Sequence, residues 1–162
     1  MIAEFRAPER RAPERRTPEH RMPTLRTVLA IDPGRAKCGL AIIDENGDIL
    51  HRSIEVSSEV GEKAAELVSR FSPEAILLGD GTATIPIHDV VSAAVPEALI
   101  SRVDERYTSE AARSLYLEDH PAHGLGRLVP KSLRTPDAPY DDYVAIILGR
   151  RYWTGGGQTD VE

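Results

Sequence analysis

The run Val28-Leu29-Ala30-Ile31, followed at once by Asp32-Pro33-Gly34, narrows what this chain can fold into more than any other stretch. Four consecutive apolar residues read as a strand buried on both faces. Proline favours an extended residue before it, which fits a strand ending at Asp32. The strand therefore stops on a carboxylate at the margin of the core. Burying such a charge costs several kcal/mol unless something pairs with it. A divalent cation together with a phosphate would pair with it well. A second apolar run, Cys38 to Ile43, begins four residues after Gly34, so the acid sits at the mouth of a hairpin.

The segments that follow set the architecture. Asn46-Gly47 predicts a two-residue hairpin turn, and Ile49 to Val56 a third strand. Val60, Ala64, Leu67, Val68 and Phe71 repeat at helical spacing on one face. Ala75-Ile76-Leu77-Leu78 is short and wholly apolar, as in a central parallel strand. A short helix is expected up to Val95, stopped by Pro96, and Leu99 to Val103 predicts a fifth strand. Thr108 is placed to cap a helix through Leu117. Pro139, Asp141 and Asp142 then start a last helix to about Tyr152, with acids where the helix dipole favours them. Three meandering strands followed by alternating helices and strands predict an α/β three-layer fold: a five-stranded mixed sheet with helices on both faces.

Composition limits function more than fold. No run approaches the ~18 apolar residues of a membrane span, and the N-terminus lacks the apolar core of a secretory signal. The single cysteine, Cys38, excludes an internal disulfide and suits a reducing cytoplasm; it reads as a small core residue. The net charge of −6 argues against a protein that coats nucleic acid, but not against one that meets phosphate through bound cations. Residues 1–26 carry seven Arg and four Glu around a proline-containing pentapeptide repeat, leaving −9 on the rest. Proline at every fifth position and little to bury predict a disordered Arg/Pro-rich extension over 1–26. It reads as a non-functional extension rather than a basic arm. The folded domain is expected over 27–153, with a flexible tail over 154–162.

The acids fall in one functional place. In an open α/β sheet, ligands bind beyond the carboxyl ends of the strands. Asp32 ends the first strand, Asp80 follows the fourth, and Asp104-Glu105 ends the fifth. Asp141-Asp142 opens a helix whose start can face those ends. Two-metal phosphodiester hydrolysis needs several carboxylates converging on ions about 3.5–4 Å apart, and oxygen ligands suit Mg²⁺ or Mn²⁺. The plainer readings are a turn residue for Asp80, which is favoured, and helix-start acids for Asp141 and Asp142, which is an even alternative.

Three stretches carry a resemblance. Ile31-Asp32-Pro33-Gly34 with Gly39 and Ala41 forms an opening hairpin. Val103-Asp104-Glu105-Arg106-Tyr107-Thr108-Ser109 resembles an Asp-Glu-Arg-x-Thr-Thr signature, with Ser109 in place of its second Thr. Asp142-Tyr143-Val144-Ala145-Ile146-Ile147-Leu148 resembles the start of a last helix. In this order and spacing, over 27 to 152, the chain resembles the YqgF/RuvX family of RNase H-like Holliday-junction resolvases and pre-16S rRNA processing nucleases. The resemblance implies an RNase H-like fold and a divalent-metal-dependent nuclease with Asp32, Glu105 and Asp142 as catalytic and metal-binding acids. Asp80 is a further candidate ligand, because Gly79-Asp80-Gly81-Thr82 departs from the family's Gly-x-Pro loop, and Asp141, at the start of the last helix beside Asp142, is another.

Arg35, Lys37, Arg106, Lys131 and Arg134 are the candidate nucleic-acid contacts, a basic rim able to draw a phosphate backbone toward the acids. For any single one the plainer reading is a solvated loop residue, and Arg106 is the exception. His120 and His123 do not read as a zinc site, with a proline between them and no cysteine near. The expected partner is branched DNA and/or structured RNA, with no membrane contact; a junction resolvase needs two sites and so a homodimer. The rival reading is a non-catalytic nucleic-acid or ribosome-associated adaptor with the same fold. A third reading, a phosphotransferase of the actin-like class, shares the first hairpin, but the short chain and the lack of a P-loop argue against it.

Overall fold

The computed structural model describes residues 25–130, 133–155 and 159–161, with backbone alone for 125, 126 and 159–161. The N-terminal repeat and Lys131 lie outside them. Strands β1 (Thr27–Asp32), β2 (Lys37–Asp44) and β3 (Ile49–Val56) form an antiparallel meander. Helix α1 (Val60–Phe71) leads to β4 (Ala75–Gly79), α2 (Thr84–Ala94) to β5 (Ile100–Val103), and α3 (Thr108–Asp119) to the final helix α4 (Asp141–Trp153). β4 pairs parallel with β1, and β5 parallel with β4. A sixth strand, β6 (Thr159–Val161), adds antiparallel to β5, so the order is β3-β2-β1-β4-β5-β6. The five expected strands are present. The sixth falls in the expected tail, where it covers what would otherwise be an open sheet edge.

The unbroken apolar runs of β1, β2 and β4 follow from burial on both faces. Val28 and Ala30, with Ala41, Ile43, Ala75 and Leu77, pack under α3 and α4. Leu29 and Ile31, with Leu40, Ile42, Ile76 and Leu78, pack under α1 and α2. Successive side chains of one strand thus feed two cores, and none has a wet face to give to a polar residue. Cys38 is fully buried in the α1/α2 core, as expected of a small core residue.

Three local expectations change. The β2–β3 connection is longer than a two-residue turn: the Asp44 carboxylate accepts the backbone N–H groups of Asn46 and Asp48, both at 2.9 Å. That short acid stabilises a wider loop, in which Gly47 takes φ +84°. Thr108 does not cap α3 but is its first residue, fully buried, and its hydroxyl donates to the Glu105 carbonyl. The capping position belongs to Tyr107, at φ 62° and 79% exposed. Arg26, expected in the extension, is already anchored, with its guanidinium 3.0 Å from Glu45 and 5.1 Å over the Trp153 ring.

Helix α4 is pinned across the sheet. The Trp153 indole N–H donates to the Ile43 carbonyl at 3.3 Å, Arg150 donates to the Gly47 carbonyl at 3.0 Å, and Tyr152 donates to Glu74 at 2.9 Å. At its other end a Cβ on Gly39 would collide with the Asp141 carbonyl and lie 2.5 Å from the Asp142 amide. Only glycine there lets the helix start sit directly on β2, opposite Asp32 in the β1–β2 register.

Candidate active site

Parallel pairing of β1, β4 and β5 brings their carboxyl ends to one edge, where Asp32, Gly79-Asp80 and Asp104-Glu105 meet. Glu105 lies back across β4. A Cβ on Gly79 would collide with its Oε1, and one on Gly81 would lie 3.2 Å from its Oε2. Two glycines therefore form the floor on which this carboxylate rests. Its backbone is fixed from both sides: Asp80 accepts the Glu105 N–H at 3.0 Å, and Thr108 donates to the Glu105 carbonyl. Asp80 thus serves as a local brace for Glu105, close to the turn role favoured for it.

The Asp32 and Glu105 carboxyls share a hydrogen bond in a site that holds them both partly out of water. Burial, then the charges of Glu105 and Asp141, push Asp32 up to about 7. Glu105 is also raised, first by burial and then by Asp80, while the hydrogen bond from Asp32 pulls it the other way. The pair therefore holds a proton more tightly than free carboxyls do, Asp32 above all. Glu105 Oε1 is buried and, among the described residues, has no hydrogen-bond partner. An orphaned buried acceptor costs roughly 1–3 kcal/mol, which a fold without use for it would have removed.

The two acids at the start of α4 diverge. Asp141 contributes to the raised pKa of Asp32. Asp142 turns to the other side, with its Oδ2 3.7 Å from Arg52 Nε. Its carboxyl is raised by burial and pulled back first by Arg52. Of the expected trio, Asp32 and Glu105 are tied to each other, while Asp142 pairs with Arg52. Among the described residues no three His, Cys, Asp or Glu side chains stand close enough together to form a ready ion cage.

The basic rim is mixed. Arg35, Lys37 and Arg106 are exposed near the acids, with Arg106 Nε 3.6 Å from Asp104. Arg134 is spent on its own loop, donating to the carbonyls of Val129 at 2.8 Å and Arg127 at 3.2 Å. His120 stacks on Tyr116 with ring centres 4.3 Å apart. The cation that sequence reasoning missed is Arg52 on β3. A lone arginine in a strand carries no motif, and only its cross-strand partner Ala41 puts it on the α4 side.

A six-stranded mixed sheet covered by helices on both faces, with acids at the carboxyl ends of β1 and β5, is an RNase H-like α/β domain. RuvC of Thermus thermophilus superposes with a TM-score of 0.53 at 15% identity, over 83% of this chain and 99% of that one. A T. thermophilus RuvC in complex with Holliday junction substrate gives the same values. At that identity the likeness is one of fold. The Tex protein YqgF-like domain family matches residues 26–123, and the chain belongs to this YqgF-like family. The matched span takes in Asp32 and Glu105 and ends before α4. The uncharacterized protein YdcI of Bacillus subtilis (strain 168) is 33% identical over 67 residues, 36% of this chain and 9% of that relative. The chain thus spans only 9% of the length of that curated relative. No helix of the described residues is long and apolar enough to cross a membrane.

Proposed function

We propose that this domain is a divalent-metal-dependent nuclease that cuts phosphodiester bonds in structured nucleic acid. The observation that carries the reading is the Asp32–Glu105 pair, with Glu105 Oε1 buried and unpartnered above Gly79. Two carboxyls forced to share one proton are a poor structural device and a good hard-cation site. Its residues fit Mg²⁺ or Mn²⁺: every donor is a carboxylate oxygen. Asp32 and Glu105 would hold the ion, and Asp141 is better placed than Asp142 to join them, because its charge already reaches Asp32. Such an ion would polarise the phosphoryl oxygen and lower the pKa of water.

The chain's own residues have separate tasks. Asp32 and Glu105 would hold the cation as carboxylates, having given up the proton that keeps them raised without it. Asp80 and Thr108 keep Glu105 in place from its backbone. Arg35, Lys37 and Arg106 meet the phosphate backbone, and Lys131 stays in the proposal as a loop contact. Asp142 stands beside the site, paired with Arg52. Four-way DNA junctions and pre-16S rRNA are the substrates in view; the complexed RuvC of the same fold supports the first. Junction resolution would require a homodimer with two such sites, while trimming of RNA suits one.

That no acid trio is gathered among the described residues favours a second reading, a nucleic-acid-binding adaptor that keeps the fold without cutting. One experiment separates the two. Labelled four-way DNA and structured RNA are incubated side by side in Mn²⁺ and in EDTA, with wild type and Asp32→Asn. Metal-dependent products lost in the variant support the nuclease, and the preferred substrate names its role. Salt-sensitive binding without products from either protein supports the adaptor.

A further inference from the structure

Arg52 stands at the centre of a cluster that the proposed chemistry does not use. Its Nε is 3.7 Å from Asp142, its Nη1 3.9 Å from Asp119 at the end of α3, and its guanidinium lies 4.7 Å over the Tyr143 ring. Tyr143 in turn donates its hydroxyl to Asp119 at 3.0 Å. Three elements, β3, α3 and the first turn of α4, are thus tied at one guanidinium. The Asp142 side chain is only 14% exposed there. The same turn rests on Gly39, where no Cβ could be accommodated.

Consecutive helical side chains point about 100° apart. A turn held by Asp142 on the Arg52 side therefore leaves Asp141 about 100° round the helix, on the turn that rests on Gly39, the register partner of Asp32. We infer that Arg52 is a positioning residue: by holding Asp142 it sets the rotation of the α4 start and presents Asp141 to the Asp32–Glu105 pair. The inference rests on the cation-site reading above and adds which of two adjacent acids serves it. Arginine suits the task because a planar guanidinium pairs and stacks at once, which an ammonium does less well.

The test measures Mn²⁺ binding to the metal-free protein by calorimetry, with far-UV circular dichroism as the control for folding. Arg52→Ala and Asp142→Asn should each weaken Mn²⁺ binding on the order of tenfold, the size expected of a residue that orients a ligand. The double variant should be no worse than either single one, since both cut the same tie. Arg52→Lys should recover part of the loss, and it keeps the test available if Arg52→Ala fails to fold. Unchanged affinity in both Arg52 variants would overturn the inference. So would additive losses in the double variant, or a loss in Asp142→Asn far beyond that of Arg52→Ala, which would make Asp142 itself a ligand. Absence of Mn²⁺ binding by wild type would instead sink the cation-site reading.

Discussion

Two acidic clusters flank the start of α4, and they are built in opposite ways. On one side Asp142 and Asp119 face Arg52, with Tyr143 completing the set, so each charge has a partner. On the other, Asp32 and Glu105 face each other, are both raised above the usual carboxylate range and, among the described residues, leave Glu105 Oε1 without a partner. The first arrangement stabilises the fold; the second is tolerated by it. Strain of that kind, kept where two glycines and a brace from Asp80 preserve it, is what the proposed function assigns to the reacting side.

The sharpest way to break this contrast is to fill the floor beneath Glu105. Gly79→Ala puts a methyl where Oε1 lies, and displacing the carboxylate should cut nuclease activity by about 10²-fold or more. Single-turnover cleavage rates check it; an unchanged rate would mean that the position of Glu105 is immaterial.

Next come opposite effects on stability. Asp32→Asn removes the acid that must hold its proton against burial, so at neutral pH and without metal it should stabilise the fold by about 1–3 kcal/mol. Arg52→Ala should destabilise it by about 1 kcal/mol, since the pair is half-exposed but also stacked. Urea unfolding of both variants tests the pair of signs.

The first effect also depends on pH. In the folded state Asp32 keeps its proton to about 7, whereas in the unfolded chain it loses it near 4. The folded state binds more protons in that window, so metal-free stability should fall as pH rises from about 4 to 7. Asp32→Asn should flatten this slope, which urea midpoints at several pH values would reveal. The smallest effect belongs to Arg106→Ala. Its exposed pair with Asp104 should leave stability within about 0.5 kcal/mol, while the salt dependence of nucleic-acid binding should lose about one phosphate contact.

Much of this was legible in the chain. The two-sided apolar runs of β1 and β4, and the helical spacing from Val60 to Phe71, fixed their elements because burial leaves one periodicity available. Asp32 and Glu105 were readable as strand-end acids. The choice between Asp141 and Asp142 was not, because both are helix-start acids and only the rotation of α4 separates them. In the arrangement inferred above, that rotation depends on Arg52 and Gly39, which meet α4 across a distance of about 100 residues in sequence. The part played by Arg134 was not legible for a related reason: a loop arginine satisfies its own backbone carbonyls as readily as it meets a phosphate. Tyr107 took the capping position from Thr108 because the threonine hydroxyl had a stronger use at the Glu105 carbonyl.

The most direct test of the Asp32–Glu105 pair as a cation site is thermal unfolding of wild type and Asp32→Asn across a Mn²⁺ titration. Wild type should begin less stable than the variant and gain stability steadily with the ion, while the variant should respond little, so that the two curves cross. Equal gains in both proteins, or none in wild type, would contradict the account.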